Sequence, residues 1–100
     1  MKKFIDIIKE ESVIKLYTKI VNMKVVTAKY LDDYKIEIIF DDKKRNVINF
    51  LPALKKYATC KKYLDITLFK KFKVDSGNIV WGNNWEMIFK IEDLYENKFN

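Results

Sequence analysis

Paired acids are the first residues in this chain that could do chemistry: Asp32/Asp33, Asp41/Asp42 and Glu92/Asp93. A metal-dependent nuclease needs such carboxylates to converge on a cation. Each pair, however, stands where turns and helix starts favour Asp or Glu, for hydrogen bonds to nearby backbone or for the positive end of a helix dipole. The catalytic reading is the weaker of the two. Nucleophiles fare worse: Ser12, Ser76 and Cys60 have no histidine base anywhere in the chain, and Cys60 has two lysines after it but no activating partner. One cysteine excludes an internal disulfide, and the absence of histidine removes the usual zinc sets. No glycine-rich phosphate loop is present. The expectation is a protein that is not an enzyme, with no cofactor implied.

Residues suited to binding are easier to find. From Ala53 to Lys73 the chain carries seven lysines, Lys55, Lys56, Lys61, Lys62, Lys70, Lys71 and Lys73, against Asp65 alone, while the rest of the sequence is charge-neutral. The whole +6 excess therefore lies in this one segment. With Tyr57, Tyr63 and Phe69 between them, these lysines could meet phosphates, with an affinity that falls as salt rises. Against nucleic acid, Arg45 is the sole arginine, and phosphate and base recognition favour the arginine fork. An acidic protein partner and a merely solvated helix face are the competing readings. The second candidate is Val74 to Phe89, which holds both tryptophans and both glycines. Trp81 ends an apolar run and is expected in the core. Trp85, beside Asn83 and Asn84, is the candidate for an exposed contact, since a base stacked on such a ring is worth about 1 to 3 kcal/mol, with a place in the core as the competing reading.

The elements that must position these residues follow from periodicity. From Met23 the period is two, and in Tyr34 to Phe40 the residues Tyr34, Ile36, Ile38 and Phe40 share one face. Breaks at Leu31-Asp32-Asp33 and at residues 41–44 then make residues 23–50 a three-stranded antiparallel meander. Pro52 opens a helix with Leu51, Leu54 and Ala58 inward, and Asp65 caps a second short helix, Ile66 to Phe72, with Leu68, Phe69 and Phe72 inward. The lysine-rich segment is thus predicted as two helices. Residues 73–82 read as a hairpin whose turn places Gly77 or Asn78 at positive φ, residues 85–89 as extended chain, and residues 91–98 as a terminal helical turn. Residues 1–22 read as one amphipathic helix, with a helix followed by a strand as the open alternative. The fold class is α+β: a small antiparallel sheet, made of the meander and a C-terminal hairpin, with short helices packed on it.

At 100 residues and 49% hydrophobic composition the chain is predicted to form a single domain, residues 23–100, preceded by the extension. No stretch approaches the roughly 18 apolar residues of a membrane span, and the N-terminal apolar run is broken by Asp6 and Lys9. A cytoplasmic location away from membranes is the expectation. An exposed sheet edge would be compatible with a homodimer.

The order "MKVVTAKYLDDYKIEIIFDD", "VINFLPAL", "YLDITLFKKFKVDSGNIVWGN" and "DLY" over residues 23–95 resembles a small bacterial family catalogued as domain of unknown function 2442. The marks are a strand ending Phe40-x-Asp42, a third strand running into a helix, Leu64-x-x-x-x-Phe69 before a strand, Trp81 closing the next strand, and Leu94-Tyr95. The resemblance implies a compact α+β domain without an assigned activity. It also implies members encoded alone, fused to helix-turn-helix domains, or beside another small protein in arrangements like toxin–antitoxin pairs. Asp42 is followed here by Lys43 where the family usually has glycine, so a different turn is expected. The leading functional expectation is a partner-binding module, antitoxin-like or accessory. Alternatives are a nucleic-acid-binding regulator and a mobile-element inhibitor of the anti-CRISPR type.

Overall fold

The computed structural model describes residues 23–99. The N-terminal extension, with its expected amphipathic helix, lies outside the described residues. Strand β1 (Val25–Tyr30), β2 (Lys35–Phe40) and β3 (Arg45–Asn49) form one three-stranded antiparallel sheet in the order β1-β2-β3. Helix α1 (Leu51–Lys56), a 3-10 helix (Ala58–Leu64) and helix α2 (Ile66–Phe69) lead to a second sheet, of β4 (Lys73–Asp75), β5 (Asn78–Trp81) and β6 (Met87–Ile88). Helix α3 (Ile91–Glu96) closes the chain. The α+β class holds, with two small sheets in place of a sheet and a hairpin.

The period-two pattern works as expected in β2, where Ile36, Ile38 and Phe40 are buried. Their partners in register include Ile48 across from Ile36 and Val25 across from Phe40. Between Val25 and Thr27 the register shifts by a bulge. From the second sheet Ile79, Trp81 and Met87 join these residues in one core. Phe50 is its aromatic hub, with ring centroids 5.4 Å from Trp81, 5.3 Å from Phe89 and 5.2 Å from Phe99.

Several expectations need correction. The lysine-rich segment forms three short helical pieces rather than two. Helix α1 stops at Lys56, so Ala53 and Leu54 are the buried residues, Leu51 is half-buried and Ala58 is exposed. In the 3-10 helix that follows, residues three apart eclipse one another, and Cys60 and Tyr63 turn inward as such a pair. Helix α2 is capped by Asp65, whose carboxylate accepts from the Thr67 amide, but it ends at Phe69 and leaves Phe72 half-buried beyond it. The β4–β5 turn has Gly77 at positive φ (81°), as expected, joined by Ser76 (φ 52°), with Asn78 already in the strand. Two left-handed residues in a two-residue loop match the right-handed strand twist. Lastly, residues 85–89 are not extended throughout: Trp85 has φ 56°, and only Met87–Ile88 pair with β5.

The β2–β3 turn has a left-handed residue at Lys43 (φ 73°), a position that favours glycine in three-residue hairpin loops. Along the free edge of β3, Asn46 donates to the carbonyls of Leu94 and Tyr95 at 2.8 Å, and Asn97 donates to the carbonyl of Val47 at 3.2 Å. The last turn of α3 thus occupies an edge that would otherwise be open to pairing.

Candidate functional site

The loop of residues 82–86, between β5 and β6, is the most constrained stretch of backbone described. Gly82 (φ 77°), Asn84 (φ 60°) and Trp85 (φ 56°) are all left-handed, a region a bulky residue such as tryptophan avoids. Side-chain bonds hold the loop in this form. The Trp85 indole N–H donates to Asp75 Oδ2 at 2.9 Å, and Glu86 accepts from Lys62 Nζ at 2.5 Å and from the Tyr63 hydroxyl at 3.0 Å. Gly82 is required twice over, by its φ and because a Cβ there would lie 2.5 Å from Glu86 Oε2 and 2.8 Å from the Tyr63 hydroxyl.

Each flank of the loop has its own character. One is a cleft of about 320 Å³ lined by Lys62, Tyr63, Leu68, Lys71, Asn83 and Glu86. The other is the face of the second sheet opposite Ile79 and Trp81, on which Val80 is fully buried. Strand register puts Lys73, Val80 and Ile88 in one row and Asp75 beside Asn78 on the same face. To reach Asp75 from its loop, the Trp85 indole must lie along this face. As a residue Trp85 is 38% exposed, and Ile88 of the same face is 41% exposed.

Electrostatics follow the same bonds. The Glu86 carboxyl is held below the usual carboxylate range, chiefly by the Lys62 hydrogen bond and then by Tyr63. The Lys62 ammonium is raised in turn by its bond to Glu86. Burial, then the bond to Glu86, pushes the Tyr63 hydroxyl up. The Asp75 carboxyl is lowered first by the Trp85 indole, then by Ser76 and by the charge of Lys73.

Of the residues expected to bind a partner, Lys62, Lys71, Lys73, Asn83, Asn84 and Trp85 gather around this loop. Lys62 is committed to Glu86, whereas Lys71 and Lys73 make no ion pair among the described residues. The rest of the lysine-rich segment does not join them. Lys70 sits 4.8 Å over the Tyr30 ring, and Lys56 lies 5.4 Å over the ring of Tyr57 and lines a different groove. Lys55 and Lys61 point to solvent. Sequence reasoning missed Glu86 and Asp75, and named Tyr63 only as an aromatic among the lysines. Their roles depend on partners 24, 23 and 10 positions away, for which no local pattern exists.

The paired acids stand apart from this loop. Asp32/Asp33 and Asp41/Asp42 occupy the two turns of the first sheet, and Glu92/Asp93 the first turn of α3. Among the described residues no group of three Cys, Asp or Glu side chains is placed to hold a metal ion. None of the described helices is long and apolar enough to cross a membrane.

Two small antiparallel sheets around one aromatic core, joined by short helices, define an α+β domain with a hydrogen-bonded, lysine-flanked loop. A family model described as a protein of unknown function (DUF2442) matches residues 25–100, and the chain belongs to that family. No curated protein and no solved structure matches it.

Proposed function

We propose that the chain is a non-enzymatic interaction module that docks an acidic protein surface on the loop of residues 82–86 and the lysines beside it. The observation that supports this is Trp85. The residue is partly exposed, its backbone is held in an unfavourable conformation, and its indole N–H is satisfied internally by Asp75, so the side chain has little left to order on binding. Tryptophan anchors of this kind dominate protein interfaces, and Lys71, Lys73 and Asn83 supply a polar, cationic rim. An antitoxin-like or accessory role is the version that the family resemblance favours, by analogy of neighbourhood alone.

The test is affinity capture of the tagged chain from lysate of its native host, with and without nuclease. A protein retained through nuclease treatment, lost with Lys71→Glu/Lys73→Glu but kept with the charge-matched control Lys29→Glu/Lys43→Glu, is the expected result. Retention by both double variants would remove the loop reading. A second reading rests on the same ring, because exposed tryptophan among lysines also suits stacked bases of single-stranded nucleic acid. It predicts that capture is abolished by nuclease and weakens steeply with salt. A captured nucleic-acid-processing machine would point to the mobile-element inhibitor.

A further inference from the structure

A second groove lies on another part of the surface and shares no residue with the loop of residues 82–86. Its volume is about 190 Å³. The floor is apolar, made of Ala53, Phe89 and Phe99, and the exposed ring of Tyr57 forms one wall. Lys56 and Lys98 stand on the rim with Asp93. Lys98 is already paired with Glu96 at 2.9 Å, so Lys56, whose one described contact is the Tyr57 ring, is the cation left to meet a ligand.

Pockets for free small molecules run to roughly 300–1,000 Å³, and this one is smaller. Its size and its apolar floor suit one anchoring side chain. Lys55, exposed beside Lys56, extends the positive edge along α1, while Asp93 also lines the groove. We infer that this groove is a docking point for an acidic peptide segment, taking one aromatic or large aliphatic side chain of the peptide against Phe89 and Phe99 and a neighbouring carboxylate at Lys56. The peptide backbone can donate an N–H to Asp93.

The smallest probe that carries both features is N-acetyl-phenylalanine, with its neutral amide, N-acetyl-phenylalaninamide, as the comparison. Amide spectra of the isotopically labelled full chain are recorded during titration with each. The acid is expected to give saturable shifts confined to Ala53, Lys56, Tyr57, Phe89 and Phe99, and to bind about two- to fivefold tighter than the amide, the scale of one exposed ion pair. Lys56→Glu should abolish that preference, and Tyr57→Ala should weaken both probes while leaving the remaining spectrum in place. Trp85→Ala should change neither, which separates this site from the loop reading. No localised shifts with the acid, equal binding of acid and amide, or shifts centred on the loop of residues 82–86 would overturn the inference.

Discussion

Trp81 and Trp85 stand four positions apart in the sequence, and each indole N–H has an acceptor at nearly the same distance, 2.8 Å and 2.9 Å. Their surroundings are opposite. Trp81 is fully buried among Phe50, Phe69 and Phe89 and donates to the backbone carbonyl of Phe69. Trp85 is exposed on one side, sits in a left-handed loop and donates to a carboxylate. The strand places its tryptophan at the end of a fully buried run, Ile79 to Trp81. The loop needs a second and a third residue to hold its own, and what those bonds fix is a surface.

The largest effect should come from the strand. Trp81→Ala removes the ring that Phe50 and Phe69 pack on and orphans a buried carbonyl, at a cost of about 3–5 kcal/mol by denaturant unfolding. Trp85→Ala should cost less than about 1 kcal/mol in the same measurement, because its ring is partly exposed, yet it should abolish capture of the partner. Equal losses would break the contrast.

Next is Gly82→Ala, which forces a Cβ into the left-handed region and against Glu86 and Tyr63. A loss of about 1–2 kcal/mol is expected, together with separation of Glu86 from Lys62. Lys43→Gly supplies the opposite sign. Its left-handed position is exposed and no side-chain bond of Lys43 is described there, so glycine should gain about 0.5–1 kcal/mol. Trp85→Gly, at a similar φ, should not gain, since it gives up the bond to Asp75.

Acid should distinguish the two rings with the smallest energetic effect. Asp75 and Glu86 have folded pKa values below their ordinary 3.8 and 4.5, so what they contribute is present above those values and lost as pH falls through the lower folded ones. Below about pH 3.8 the Trp85 indole resonance should therefore move as Asp75 takes a proton. That of Trp81, bonded to a carbonyl, should stay, and its persistence reports that the core is intact.

Much of the scaffold was legible because it depends on local pattern. Ile36, Ile38 and Phe40 announce β2 by alternation, Asp65 announces a helix start, and Trp81 announces core by ending an apolar run. What escaped has a shorter period or a longer reach. Leu51, Leu54 and Ala58 are spaced for one α-helix, but that helix ends at Lys56 and the seven-residue 3-10 helix after it buries Cys60 and Tyr63 instead. Strand β6 has two residues, too few for any periodicity, and exists because β5 is there to pair with. Ser76 and Trp85 adopt positive φ because of tertiary bonds and turn geometry, not residue preference. The lysines were visible as a count, but their division between the loop, the Tyr30 ring and the α1 groove follows from the fold.

The most direct test of the loop as the docking surface uses the two indole N–H resonances together. They are followed in the labelled chain as nuclease-treated lysate of the native host is titrated in, against a control of heat-denatured lysate. The Trp85 resonance is expected to broaden or shift with the native lysate alone while the Trp81 resonance holds its position. A Trp85 resonance that stays unchanged while other surface amides respond would place the partner elsewhere on the molecule and contradict the account.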